Sequence, residues 1–373
     1  MAKGMYIGVS SKAHKVKKMY IGVGGVARKV KKAYIGVNNV ARLCWSGEYQ
    51  LSRYGTTTAL TQQRYRLGAA SNANYAIFAG GSPSSGYSST VDAYNSSLTK
   101  ASGSTTVRER YGLVGANIGD YALFAGGTNS NGAVAYVDTI NLSLTRSGAT
   151  NLAYAVTELA GASMGNYALF GGGFNSSARA YVTAYNASLT KSEPTVLSAA
   201  RRRLGAANIG TQYVLFAGGA GSSVVDAYNS SLTRSTITAL SDVFDGLKGA
   251  SVGDYALFAG GSKGQTQQLT TVATAYNSSL TQSTPTGLSE ARSDLVATNI
   301  MGQFALFGGG TTSGGRVKTV DAYNTSLTRS IPEELYQVRS YMGATSIGKY
   351  GLFAGGMVTI TSLSNVVDVY QIT

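Results

Sequence analysis

Tyr213-Val214-Leu215-Phe216-Ala217-Gly218-Gly219 carries the pattern on which the fold turns: an aromatic, a small or branched residue, an aliphatic, a phenylalanine, a small residue, then two glycines. Between Tyr75 and Tyr370 the phrase recurs seven times, with its phenylalanine at Phe78, Phe124, Phe170, Phe216, Phe258, Phe307 and Phe353. The spacings are 46, 46, 46, 42, 49 and 46 residues. Within the fourth repeat, the small-residue run Arg203-Leu204-Gly205-Ala206-Ala207-Asn208-Ile209 predicts a strand that precedes the phrase. Val224-Val225-Asp226-Ala227-Tyr228 predicts a third strand and Ser231-Leu232-Thr233-Arg234-Ser235 a fourth.

Four strands per repeat at this period predict an all-β fold, a seven-bladed β-propeller with one blade per repeat. The small residues of each first strand suit a crowded axis. The seventh repeat stops at Tyr370-Gln371-Ile372-Thr373, before any fourth strand. Leu51-Ser52-Arg53 resembles the fourth-strand phrases Leu98-Thr99-Lys100 and Leu327-Thr328-Arg329. A strand near residues 49–55 is therefore expected to complete the last blade and to remove its open edge.

Composition agrees with strands and tight turns: Gly, Ser, Thr, Asn and Tyr dominate the 373 residues. Charged residues make up 13% of the chain, yet the net charge is +14. Residues 1–46 hold ten Lys or Arg and no Asp or Glu, while the remainder has 21 basic and 17 acidic residues. The sequence thus divides into a basic tract, 1–46, and a nearly neutral body, 47–373. A single cysteine, Cys44, allows no internal disulfide, and a single histidine, His14, argues against zinc sites and histidine-based catalysis. Neither a signal-peptide core nor an apolar run of membrane-spanning length is visible, so no membrane insertion is expected and synthesis in a cytoplasm is.

The tract has its own repeat. Tyr-Ile-Gly-Val occurs at 6–9, 20–23 and 34–37, with basic stretches between, such as Val26-Ala27-Arg28-Lys29-Val30-Lys31-Lys32. The turn-compatible pairs Ser10-Ser11, Gly24-Gly25 and Asn38-Asn39 predict a short β-meander with one apolar and one lysine-rich face. Tyr6, Tyr20 and Tyr34, with Arg28, Lys29, Lys31 and Lys32, are the candidate attachment residues, for docking on other proteins or on further copies of the chain. Alternatively the lysines guard exposed strand edges. No nucleic-acid-binding signature accompanies the charge. Gly22-Val23-Gly24-Gly25 lacks the Lys-Ser/Thr ending and the helix of a phosphate-binding loop.

An arginine before the first strand, a double glycine closing the second and a tyrosine in the third resemble kelch repeats, over residues 48–373. The arginines are Arg64, Arg110, Arg201, Arg292 and Arg339, with Val156 and Phe244 standing there in blades three and five. The tyrosines are Tyr94, Tyr185, Tyr228, Tyr276, Tyr323 and Tyr370, with Ile140 in blade two. The usual kelch tryptophan is absent, and leucines from Leu98 to Leu327 take its place. The Tyr-Ile-Gly-Val tract together with the Ala-Tyr-Asn-Ser-Ser-Leu-Thr repeats resembles virion-associated proteins of phages and prophages of Gram-positive gut bacteria, often encoded among tail genes. That resemblance implies a place on a virion, among other virion proteins.

Ligand-binding candidates follow from the loops after each double glycine, which differ while the frame repeats. They include Ser82-Pro83-Ser84-Ser85-Gly86-Tyr87, Phe174-Asn175-Ser176-Ser177 and Lys263-Gly264-Gln265-Thr266-Gln267-Gln268. Tyr87, Phe174 and Lys263 are the candidates there. Arg64, Arg110, Arg201, Arg202, Arg203, Arg292 and Arg339 would suit carboxylate or phosphate groups. Their alternative role is internal pairing with the third-strand aspartates Asp92, Asp138, Asp226, Asp321 and Asp368. Six Asn-x-Ser triplets, at Asn95, Asn141, Asn186, Asn229, Asn277 and Asn324, read as turns rather than glycan acceptors. No nucleophile–base pair is visible, and Glu333-Glu334 reads as solvated. The copper site of kelch-like galactose oxidases is excluded by the single His and Cys.

The expected function is that of a non-enzymatic, tail-associated phage virion protein without cofactor or metal. Its propeller loops would bind a host cell-surface glycan or an anionic wall polymer of the teichoic-acid type. Two alternatives stand beside it: a purely structural decoration protein, and a glycan-active propeller enzyme.

Overall fold

The computed structural model describes residues 6–9, 12–15, 20–23, 26–30, 32–37, 40–46, 49–101, 107–264 and 266–373; within 6–46 it describes the backbone course and the side chains of Tyr20, Val30 and Ala33 alone. Every regular element in them is a strand. The chain forms two compact units, Met1–Leu51 with Ile372–Thr373, and Ser52–Gln371.

In the first unit, each Tyr-Ile-Gly-Val strand pairs antiparallel with the basic strand that follows. Tyr6–Val9 pairs with Lys12–Lys15, Tyr20–Val23 with Val26–Lys29, and Lys32–Val37 with Val40–Ser46. Tyr20 lies opposite Lys29, and the third hairpin carries a bulge between Ala33 and Tyr34. The expected meander is corrected here: among the described residues, no pairing joins one hairpin to the next. A strand that places Arg28 beside Lys29 is a poor template for a third strand, which is how basic residues guard an edge. The expected turn pairs lie outside the described residues.

The second unit is built around seven antiparallel sheets that each carry one repeat, with four smaller antiparallel sheets beside them among the described residues. In the fourth, Gly205–Ile209, Tyr213–Ala217, Val225–Asn229 and Arg234–Ile237 lie side by side in chain order. The other first strands are Gly68–Ser71, Val114–Ile118, Ala160–Met164, Lys248–Val252, Val296–Ile300 and Gly343–Ile347. The first sheet has three named strands plus a bridge from Tyr94 to Lys100. The fourth strand of the seventh sheet comes from the front of the unit: Leu51–Thr57 lies beside Val367–Ile372.

The second strands are apolar on both faces because other sheets cover both. Phe78, Phe124, Phe216, Phe307 and Phe353 have no exposed surface, each worth about 1.5–3 kcal/mol of burial. Phe216 packs edge-on against Tyr228, with centroids 5.9 Å apart at 86°, and five other sheets repeat the pair. The tyrosine hydroxyl then donates to a backbone carbonyl ahead of its own sheet, as Tyr228 does to Thr195 at 2.7 Å. Hydrophobic clusters fill the spaces between consecutive sheets from the first to the sixth, and one joins Leu67, Phe78 and Tyr94 of the first to Leu352, Val367 and Val369 of the seventh.

The double glycines tie these sheets together. The N–H of the second glycine donates to the carbonyl ahead of the next first strand: Gly81 to Arg110, Gly127 to Val156, and so on to Gly310 and Arg339, all at 2.8–2.9 Å. Gly356 of the seventh sheet donates to Arg64 of the first at 2.9 Å. Gly80 has φ +63°, and a Cβ on it would stand 2.7 Å from the Arg110 carbonyl oxygen. Only glycine accepts both that backbone and that contact. The first strand of each sheet lies against that of the next, and the seventh against the first. At Gly115 a Cβ would fall 2.0 Å from the Ala69 carbonyl oxygen, so these strands are spaced for hydrogen atoms.

Candidate functional site

The five arginines of the repeat have no exposed surface. Each meets the third-strand aspartate of its own sheet: Arg64 with Asp92 at 2.8 Å, Arg110 with Asp138 at 2.6 Å, Arg292 with Asp321 at 2.7 Å, and Arg201 and Arg339 with Asp226 and Asp368. A second cation from the fourth strand reaches the same carboxylate: Lys100, Arg146, Arg234, Arg329 or, in the seventh sheet, Arg53. The structure therefore places Arg64, Arg110, Arg201, Arg292 and Arg339 inside the sheets, against the expectation that they form a basic surface for a ligand. Burial raises the pKa of Asp92 and Asp138, but the facing arginines and further donors outweigh it, so both carboxyls titrate below the usual range. Where the arginine is missing, at Val156 and Phe244, the aspartate is missing too, replaced by Thr183 and Thr274. A buried charge without its partner is costly, so the pair is present or absent as a unit.

The groups that do reach a surface sit two residues further on. There Arg66, Glu158, Arg203, Asp294 and Tyr341 adopt φ between 52° and 55°, and Gly112 and Gly246 have φ 68° and 72°. A left-handed backbone costs a non-glycine residue about 1–2 kcal/mol, and here hydrogen bonds between repeats offset it. Tyr341 N–H donates to Asp294, Arg66 to Tyr341, Gly112 to Arg66, Arg203 to Glu158 and Gly246 to Arg203, at 2.8–3.0 Å. The side chains of residues from different sheets are thereby gathered at one end of the first strands.

Two neighbouring groupings result. The exposed Arg66 guanidinium lies 4.8 Å from the centroid of Tyr341, 5.8 Å from Tyr111 and 5.9 Å from Tyr65. Tyr87, from the loop after the first double glycine, stacks on Tyr111 at 5.7 Å and 5°. Burial and the carboxylate of Asp294 raise the Tyr341 hydroxyl pKa, and that carboxylate also faces Arg203 at 3.9 Å. Arg203 in turn pairs with Asp245 at 3.2 Å, and Arg202 with Glu158 at 3.4 Å. Lys248 is the one charged residue of the seven first strands. Burial lowers its pKa, while Asp294, Asp245 and Glu158 act in the opposite sense.

Among the expected loop residues, Tyr87 belongs to the tyrosine grouping. Phe174 is half-buried beneath Arg202, whose guanidinium carbon is 4.4 Å from the ring centroid. Lys263 stands apart, half-exposed and 3.9 Å from Asp242; Gln265 of its loop lies outside the described residues. Thus Arg202 and Arg203 stay at the surface while Arg201 does not. Of the attachment candidates, Tyr20 is 56% exposed. Lys31 and the side chains of Tyr6, Tyr34, Arg28, Lys29 and Lys32 lie outside the described residues. The six Asn-x-Ser asparagines hold turns: Asn229 Oδ1 accepts the N–H groups of Ser231 at 3.0 Å and Thr233 at 2.9 Å, and Leu232 between them has φ 60°.

Arg66, Tyr65, Tyr111, Tyr341, Glu158, Asp294 and Lys248 were missed in the sequence. For Arg66, Glu158, Asp294 and Tyr341 the signal was a column that varies between charged, aromatic and glycine residues inside an otherwise repeating frame; Tyr65 and Tyr111 stand one residue before it and Lys248 two after. A separate cavity of about 540 Å³ is bounded by the first strands of all seven sheets. Among the described residues, no group of three His, Cys, Asp or Glu side chains could hold a metal ion. No family model and no curated protein matches the chain.

Proposed function

We propose that the second unit is a seven-bladed β-propeller of kelch-like pattern, and that the protein is a non-enzymatic component of a phage virion that binds a host cell-surface glycan. The seven sheets, the contact between the first and seventh, and the glycine hydrogen bonds running from Gly81 to Gly356 support the propeller. The virion location rests on the tract and repeat resemblance alone.

One observation carries the binding reading: Tyr65, Tyr87, Tyr111 and Tyr341 gathered around the exposed Arg66. Tyrosines present a rigid apolar face and a polar tip, the pairing a sugar ring asks for. The charges beside them carry both signs, with Arg202, Arg203 and Lys248 near Glu158, Asp245 and Asp294. Together with the burial of the five repeat arginines, this favours a glycan of low net charge over a wall polyanion. The basic hairpins would attach the protein to the particle or to further copies of itself, and many copies per particle would multiply a weak single site.

The test is binding of the labelled full chain to purified wall glycans from candidate hosts, with Arg66→Ala and Tyr341→Ala alongside. Saturable binding that weakens in both variants, and that survives added salt, supports the reading. Binding that collapses with salt returns the polyanion. No binding to any preparation leaves a structural virion role in its place.

A further inference from the structure

A second candidate site lies in the cavity bounded by the seven first strands, away from the charged end. The register two residues beyond the position facing each second-strand phenylalanine alternates serine and asparagine, from Ser71 and Asn117 round to Asn299 and Ser346. All of that register lines the cavity, and no charged side chain does. The hydrogen bonding around it is uneven. On one side the groups satisfy each other: Ser251 Oγ donates to Asn208 Oδ1, and the Asn208 N–H donates to Ser251 Oγ at 3.3 Å. On the other side, among the described residues, the hydroxyls of Ser346 and Ser71 and the side-chain amide of Asn117 have no protein partner. These three sit on consecutive first strands, Gly343–Ile347, Gly68–Ser71 and Val114–Ile118, the middle one in contact with both others. Beside them Thr345 is only 7% exposed and lines the cavity, and its hydroxyl also has no protein partner.

These hydroxyls and the amide open into the cavity, so an arc of free donors and acceptors around Thr345 is poised to meet a hydrogen-bonding molecule. We propose that this arc binds a neutral, polyhydroxylated ligand the size of one or two sugar residues. Ser, Thr and Asn side chains both donate and accept, as sugar hydroxyls do, whereas an ion would find no counter-charge in the wall. Ala70 and Ala116 at the adjoining register supply apolar contact. The volume, about 540 Å³, falls in the range of about 300–1,000 Å³ typical of small-molecule sites. The site is separate from the tyrosine grouping and does not depend on it.

Saturation-transfer NMR on the full chain, with free glucose, galactose, mannose and N-acetylglucosamine as probes, tests it. At least one sugar should bind saturably. Asn117→Leu, which replaces the amide by an apolar group of the same shape, and Ser346→Val, which removes one hydroxyl, should each weaken it about tenfold, the equivalent of about 1.4 kcal/mol. Should Asn117→Leu lower the unfolding midpoint, Ser346→Val combined with Ser71→Ala decides. If none of the four sugars binds, the cavity holds water only and the proposal falls. It falls equally if binding survives the arc variants and is lost with Arg66→Ala, which would place the sugar at the other end.

Discussion

Removing one partner of the Arg292–Asp321 pair should cost more than removing both. Arg292 has no exposed surface, and its guanidinium bonds to Asp321 at 2.7 Å and to the Phe307 carbonyl at 3.1 Å. Asp321→Thr leaves that cation buried with only the Glu290 carboxylate, 3.7 Å away and without a hydrogen bond to it, as counter-charge, a loss of about 3–5 kcal/mol. Arg292→Val is the milder change, because Arg329 remains 3.7 Å from the carboxylate and Ser289 still donates to it; about 3 kcal/mol is expected. The double variant copies the third sheet, where Val156 and Thr183 occupy the same places. There Thr183 Oγ1 accepts the Ala153 N–H at 3.3 Å, just as Asp321 accepts that of Ser289 at 3.0 Å. Replacing a buried ion pair by an uncharged pair is often near neutral, so the double variant should lie within about 2 kcal/mol of the parent. Urea unfolding of the four proteins gives the cycle. A double variant less stable than either single one would refute the view that the pair acts as a unit.

Three further outcomes are expected. Asp92 and Asp138 have folded pKa values below that of an ordinary carboxylate, about 3.9; such groups stabilise the fold above that value and stop doing so as pH falls through their folded pKa. The urea midpoint should therefore drop below about pH 4, and an unchanged midpoint down to strong acid would count against their role. At the other extreme, burial pushes the Tyr276 hydroxyl up to about 12, so its contribution holds below the ordinary tyrosine value of about 10 and is lost as pH rises above it. Ultraviolet titration should show the third-strand tyrosines ionising together with unfolding rather than before it. Gly309→Ala should destabilise by more than about 1 kcal/mol, since φ is +59° and the new Cβ would stand 2.4 Å from the Arg339 carbonyl oxygen; an unchanged melting temperature would contradict that geometry.

The strands were legible because each second strand is apolar throughout, a pattern that only a sheet covered on both faces accepts. Leu51-Ser52-Arg53 was legible through its likeness to Leu98-Thr99-Lys100, and Arg53 does reach Asp368 as Lys100 reaches Asp92. The purpose of the double glycines was not, because each hydrogen-bonds to a carbonyl of another repeat. The arginines were visible but their direction was not; reading their column beside that of the aspartates, which vanish together at Val156/Thr183 and Phe244/Thr274, would have decided it. The surface grouping around Arg66 stayed hidden for a different reason. It depends on a left-handed backbone that sequence marks only where Gly112 and Gly246 stand, and on tyrosines brought together from separate repeats. In the basic tract, the repeat showed the hairpins but not where their pairing would stop.

The pairing of Leu51–Thr57 with Val367–Ile372 has a consequence for how the chain is made. During synthesis the first of these strands emerges long before the second, and spends nearly the whole of translation with a bare edge. Arg53 meanwhile waits for Asp368. A nascent chain released early, ahead of Val367, carries unmatched strands at both ends of its sheet array. Two such chains, or two complete ones emerging side by side from one message, can exchange the strand and leave as an interlocked pair. The last sheet thus waits on the last repeat: until Val367–Ile372 is in place, Leu51–Thr57 has no partner.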